Sequence, residues 1–242
     1  VDSTFSFHRY LTIQALTAKT STNGLLDHDW SARGRIGWNS DHTEFSAQHL
    51  FIGENFRPEM GFVSRLEPDW KGEQRTQAGA AYKPRPEWRG IRQFKFSGSA
   101  NYLADQDGLL DTRDGTLGFT TTLESGDNFE VDYSRNFQRL LKPFRISGGG
   151  GTVPVGDYRW NSFNTQYNAF VGRKASGSIG LDHGGYYDGT ITTLDISPYL
   201  KPTSKLSFSP SYQWNRIVRP SLTFVTRRLN TQVNYSISQK WL

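Results

Sequence analysis

The chain has no cysteine, a single methionine and no uninterrupted apolar run of 18 residues. Without cysteine there can be no disulfide framework, thiolate metal site or cysteine nucleophile. Without a long apolar run there is no membrane-spanning helix, which needs about twenty such residues. The opening VDSTFSFHRY also lacks the charged, apolar and small-residue regions of a signal peptide. Basic and acidic residues number 28 and 23, giving a formal charge of +5. The basic residues are scattered, so the stripe expected of a nucleic-acid binder is missing. His8, His42, His49 and His183 stand apart, without metal-ligand spacing. Ser147-Gly148-Gly149-Gly150-Gly151 lacks the Gly-Lys-Ser/Thr ending of a phosphate loop and reads as a flexible external loop. No cofactor and no metal are expected.

Aromatic rings, by contrast, are plentiful: 7 Trp, 11 Tyr and 16 Phe make up 14% of the chain. In its last third they fall into a period of two. Leu194, Ile196, Pro198 and Leu200 alternate with Thr193, Asp195, Ser197 and Tyr199. Leu206, Phe208, Pro210, Tyr212 and Trp214 alternate with Ser207, Ser209, Ser211 and Gln213. Leu229, Thr231, Val233, Tyr235 and Ile237 alternate with Asn230, Gln232, Asn234 and Ser236. Successive strand side chains point to opposite faces, so each strand is apolar on one side and polar on the other. Soluble sandwiches alternate as well. The polar set separates the two readings, because Ser, Asn, Gln and Thr suit a wet lumen better than a charged surface. Tyr212, Trp214 and Tyr235 suit a membrane–water boundary. The mean hydropathy of −0.63 agrees with this, since lumen and loop residues lower the mean of a barrel.

The expected fold class is all-β, an antiparallel transmembrane β-barrel forming a single domain over 1–242. About twelve strands are expected, near 4–18, 29–38, 43–53, 70–83, 91–104, 115–124, 128–138, 160–173, 177–187, 190–200, 204–214 and 222–237. Short turns on one side and longer loops on the other match outer-membrane barrels. Over 70–83, Trp70, Gln74, Thr76, Ala78, Ala80 and Tyr82 share one parity, while Lys71, Glu73, Arg75 and Gln77 share the other. A Lys or Arg at mid-bilayer costs roughly 2–4 kcal/mol, which assigns the charged set to the lumen. The same reasoning adds Arg33, Arg35, Lys95, Glu130, Asp132, Asp182 and Asp195 to the lumen wall. Whether that wall selects solutes through its field or fills a closed barrel with salt bridges stays open. Arg9 and Arg135 fall on the lipid-facing parity, and 160–173 changes parity partway, as a bulge would cause.

The run Gly53-Glu54-Asn55-Phe56-Arg57-Pro58-Glu59-Met60-Gly61-Phe62-Val63-Ser64-Arg65 resembles a signature of an outer-membrane barrel family of unknown function. Gly156-Asp157-Tyr158 with Trp160, Leu194-Asp195-Ile196-Ser197-Pro198, the Lys201-Pro202-Thr203 turn and Tyr212 to Asn215 resemble the same family. The resemblance covers most of the chain from Gly53 onward. It implies an upstream carbohydrate-binding domain of the family 9 type, a signal peptide and further strands on both sides. The chain is accordingly expected to be cut at both ends. No catalytic residues come with the resemblance.

Two stretches remain as site candidates. Glu54, Asn55, Phe56, Arg57, Glu59 and Arg65 either constrict the pore, form a recognition rim, or simply pack Phe56, Met60 and Phe62. Asp27-His28-Asp29 offers acid–base groups at a loop end, without a visible catalytic constellation. The expected function is a pore, a membrane anchor or both, in the outer membrane of a Gram-negative bacterium. Expected partners are membrane lipid and lipopolysaccharide, a carbohydrate or small solute, and other envelope proteins, with no nucleic acid. The alternatives are a membrane-embedded hydrolase with a rim site, a subunit of a larger envelope assembly, and a soluble glycan-binding module.

Overall fold

The computed structural model describes residues 1–7, 9–25, 27–58, 71–146 and 149–236. Its elements are β1 (Asp2–Phe7), β2 (Leu11–Lys19), β3 (Trp30–Asn39), β4 (Thr43–Ile52), β5 (Glu73–Tyr82), β6 (Ile91–Ala104), β7 (Leu110–Leu123) and β8 (Asn128–Leu140). After β9 (Phe144–Arg145) and β10 (Thr152–Val153) follow β11 (Gly156–Ala169), β12 (Ala175–Tyr186), β13 (Gly189–Thr203), β14 (Leu206–Arg219) and β15 (Leu222–Tyr235). Thirteen strands form one antiparallel sheet in chain order, and β9 with β10 forms a separate small ribbon. The protein is thus all-β. The expected strand over 4–18 is two strands with Tyr10 and Arg9 in the turn between them, which takes Arg9 off the lipid-facing parity. The expected strand over 70–83 begins only at Glu73, and that over 160–173 ends at Ala169.

The residues cluster into two compact units. The first comprises Val1–Lys83, Ser97–Thr116 and Asn136–Arg139. The second comprises Pro84–Phe96, Leu117–Arg135 and Leu140–Leu242.

In the first unit, register carries one side through five successive strands. Residues directly opposite in an antiparallel pair share a face. Phe5 pairs with Ile13 and Ile13 with Ile36; Ile36 pairs with Ala47 and Ala47 with Ala78. Trp38, Phe45 and Ala80 form a parallel row, with Leu11 before them. On the opposite face, Gln14, Arg35, Gln48 and Gln77 line up, as do Leu16, Arg33, Leu50 and Arg75.

The second unit repeats the division. Tyr167, Ile179, Ile196, Tyr212 and Leu229 share one row, and Thr165, Leu181, Leu194 and Trp214 the next. The other side carries Asn164, Asp182, Thr193 and Asn215, then Gln166, Gly180, Asp195, Gln213 and Arg228.

Among the described residues, no layer covers the apolar side. Ile13, Ile36, Trp38, Phe45 and Tyr82 are exposed in the first unit, and Phe163, Ile179, Leu181, Leu229, Val233 and Tyr235 in the second. The buried apolar residues among those described are seven: Phe56, Leu103, Ala104, Phe137, Ile146, Val153 and Ile217. A water-soluble domain of this size would bury most of its large aliphatic and aromatic side chains. Side chains that would make a core therefore face outward.

At the short-turn side of the second unit, one carboxylate ties two neighbouring hairpins together. Asp127 Oδ1 accepts the Phe170 N–H at 2.7 Å, and its Oδ2 accepts Arg173 Nη2 at 3.0 Å and Ser125 Oγ at 2.9 Å. The Phe170 bond, then the Arg173 guanidinium, lowers this carboxyl from 3.8 to about 2. A depressed carboxylate pKa stabilises the fold above its unfolded value, and the contribution disappears as protons bind. Protection of the Phe170 amide, measured against its intrinsic exchange rate at each pH, should therefore fall as the pH drops from 3.8 toward about 2. Asp127→Asn should lower that protection at neutral pH and remove its change over the same window. Identical exchange in both proteins would dismiss the tie.

Candidate functional site

The polar face of the first unit is basic. Arg33 and Arg35 project from β3 beside Leu50 and Gln48, and both side chains are exposed. Across β4, Arg75 Nη2 meets Glu73 Oε1 at 2.8 Å, with Glu73 buried at 5% exposure. Gln48 Nε2 donates to Gln77 Oε1 at 3.2 Å and completes a hydrogen-bonded floor beside Arg35. No described carboxylate lies within ion-pair reach of Arg33 or Arg35, so both guanidiniums stand exposed on this face. Lys71 does not join them. It precedes β5 and pairs with Asp107 of the 105–109 loop, whose hydrogen bond raises its pKa. Arg75 therefore shares the polar face of the sheet with Arg33, while Lys71 is tied to the 105–109 loop ahead of β5.

The second unit's polar face leans acidic. Asp182 accepts Asn164 Nδ2 at 2.5 Å and sits opposite Thr193, and Asp195 lies between Gly180 and Gln213. Glu130 and Asp132 stand two positions apart on β8, hydrogen-bonded to each other, with Lys95 near enough to act on Glu130. Arg228 Nη2 donates to Gln213 Oε1 at 3.0 Å.

The stretch 53–57 docks onto its neighbouring loop. The Asn55 N–H donates to the His28 carbonyl at 3.1 Å, and Asn55 Nδ2 to the Asp27 carbonyl at 2.9 Å. His28 Nδ1 lies 3.4 Å from Glu54 Oε1. Arg57 turns back on its own segment, with Nη1 donating to the Glu54 carbonyl at 2.7 Å, while its N–H reaches Thr20 Oγ1 at 3.1 Å. Phe56 is buried beneath. A Cβ at Gly53 would collide with the His28 carbonyl, which explains a glycine where these loops meet. Asp27 and His28 hold positive φ of 62° and 51°, a conformation that costs energy away from glycine. Asp29 turns aside to Lys19 at 3.7 Å, so Asp27, His28 and Asp29 do not converge as a hydrolytic group would. Glu59 and Arg65 lie outside the described residues, as do His8, Trp70 and Ile237.

The most elaborate arrangement is one that sequence reasoning missed. Arg219, last residue of β14 and almost fully buried, reaches across the loop end of the second unit's polar face. Its Nε and Nη2 grip both oxygens of Asp188 at 2.7 and 2.9 Å. Its Nη1 donates to the Gly150 carbonyl at 2.8 Å and Nη2 to the Thr152 carbonyl at 3.0 Å. These bonds hold the segment between β8 and β11 over Ile217, packing Ile146 and Val153 against Ile217, Ile191, Tyr186 and Phe224. Gly150 fits because any Cβ there would strike Ile146 and Phe224. Tyr187, at φ 54°, gathers Phe144, Tyr158, Trp160 and Tyr186 around its ring with centroids 4.9–5.6 Å apart. The described glycines, expected to form a flexible external loop, are fastened here by a buried guanidinium instead. Ser147 and Gly148 lie outside the described residues.

Comparison with known proteins adds no relative. No family model, no curated protein and no solved structure matches this chain. The chemistry of the site therefore rests on its own residues. Among those described, no cluster of His, Asp and Glu could hold a metal ion. The polar face of the first unit offers two exposed guanidiniums beside a hydrogen-bonded amide row, and that of the second unit offers a loop fastened by Arg219.

Proposed function

We propose that this chain is the membrane-embedded β-barrel part of an outer-membrane protein of a Gram-negative bacterium, acting as pore, anchor or both. One observation carries the reading: the exposed apolar face continues unbroken through five successive strands in each unit, with amides and charges on its reverse. Water gives that face no favourable solvent, whereas acyl chains do. Rolling the sheet shut would pair its edge strands and place Arg33, Arg35, Glu73, Arg75, Asp182 and Asp195 in a wet bore. In such a bore the loop held by Arg219 would form part of a plug. The association with carbohydrate rests on the family resemblance of the 53–65 run and the 156–160, 194–203 and 212–215 stretches.

Detergent dependence provides the test. The protein should fold only in micelles or bilayers and show heat-modifiable electrophoretic migration. Lipids brominated on their acyl chains should quench its tryptophan fluorescence. Monodisperse, folded protein in plain buffer would overturn the reading in favour of a soluble glycan-binding module. Solute flux through proteoliposomes then divides pore from anchor.

A further inference from the structure

Two arginines of the second unit stand on the wrong side of the sheet for a bore. Arg216 follows Trp214 on the apolar face of β14, and Arg227 faces Trp214 from β15. Arg216 itself is opposite Val225, which makes Arg216 and Arg227 diagonal neighbours on one face, roughly 7–8 Å apart. Both side chains are exposed. Among the described residues, no carboxylate pairs with either, and the acidic groups of the neighbouring strands β12 and β13, Asp182 and Asp195, occupy the reverse face. On the other flank of Arg216, Thr192 is its cross-strand partner and shares a 2.9 Å hydrogen bond with His183 Nδ1. Beneath this polar group lie Leu181, Leu194 and Trp214, then Ile179, Ile196, Tyr212 and Leu229.

Height on the sheet identifies what the pair would meet. From Leu206 to Arg216 the strand advances ten residues, about 33 Å at ~3.3 Å per residue. Tilted by about 40°, that is ~25 Å, the height of the apolar band of a barrel. Arg216 therefore stands at the margin opposite the short 204–205 turn, where acyl chains give way to headgroups, and Arg227 stands one row nearer that turn, level with Trp214. A guanidinium offers a planar fork that matches phosphate oxygens, and two forks at this spacing can share one phosphate.

We propose that Arg216 and Arg227, with Thr192 and His183 alongside, form an external binding site for the phosphate of a lipid A-type glycolipid. Its acyl chains would lie along the Leu194–Ile196–Leu229 surface. The inference rests on the membrane reading above. Aliphatic rows below, Trp214 with Arg227 at the boundary and Arg216 above them complement such a lipid, chain first and phosphate last.

Native mass spectrometry of the detergent-solubilised protein tests it, with diphosphoryl lipid A, its dephosphorylated counterpart, phosphatidylglycerol and inorganic phosphate as separate probes. Lipid A should bind, and removing its phosphates or introducing R216Q/R227Q should weaken binding by at least roughly tenfold. R216K/R227K, which keeps charge but loses the fork, should fall between. Equal lipid A retention by the wild type and the glutamine variant would overturn the site. Equal binding of phosphatidylglycerol would replace it with general anionic-lipid attraction, and full competition by inorganic phosphate with a free-anion site. Should the glutamine variant fail to fold, discrimination by the wild type between phosphorylated and dephosphorylated lipid A decides. A wild-type protein that needs no detergent defeats the membrane reading itself, which is a different result from an inserted protein indifferent to lipid A.

Discussion

Arg219→Ala should free the segment over residues 144–153 and cost about 2–4 kcal/mol of stability in detergent, the range for breaking a buried, hydrogen-bonded charge pair. The alanine abandons four hydrogen bonds at once: two to the Asp188 carboxylate and one each to the Gly150 and Thr152 carbonyls. Those two carbonyls then face a largely apolar cluster of Ile146, Val153 and Ile217 with no donor. Asp188, whose pKa the Arg219 hydrogen bonds hold below the usual carboxylate value, loses the partner that kept it there. Arg219→Lys should recover little, because an ammonium cannot reach Asp188 and the two carbonyls together. Asp188→Asn should be milder, since the carbonyl bonds survive. Hydrogen exchange at Ile146 and Val153 reports the release directly, and single-channel recording reports whether opening the loop raises conductance. Unchanged exchange in the alanine variant would show that packing alone retains the segment.

The sequence carried the sidedness of the sheet in plain sight and concealed its punctuation. Parity alone separated Ile36 from Arg35 and Ile196 from Asp195, because a strand obeys a period of two whatever its partners are. The same period hid the turn at residues 9–10. From Phe7 to Leu11 the chain advances an even number of residues, so the apolar set resumes on the same parity and the two strands read as one. Strand ends beyond the apolar band escaped for a different reason. β14 runs on to Arg219 and β7 starts at Leu110, where headgroup or water would replace hydrocarbon and apolar alternation is no longer required. The latch was invisible because it joins residues 31 and 69 positions apart through the reach of one side chain. An arginine on the polar parity one step before a turn was its trace, readable only once a loop was known to fold back.

The largest contrast should come from placing the same charge on adjacent residues of β13. Ile196 lies on the apolar face between Ile179 and Tyr212, while Asp195 lies on the polar face between Gly180 and Gln213. The two backbones share strand, depth and hydrogen-bond environment, so side alone distinguishes them. On the proposed membrane reading, Ile196→Arg would put a guanidinium into hydrocarbon near the middle of its strand and should destabilise the protein in lipid by roughly 2–4 kcal/mol. Long-stem snorkelling limits the loss to that range rather than the far greater cost of an ion in dry oil. Asp195→Arg faces amides and water, and should change stability by less than about 1 kcal/mol. Equilibrium urea unfolding in phosphatidylcholine vesicles measures both. If instead the two variants lose equal stability, or Asp195→Arg loses more, the apolar face does not meet lipid. The exposed rows of Ile, Leu, Phe and Trp would then need a protein partner to cover them.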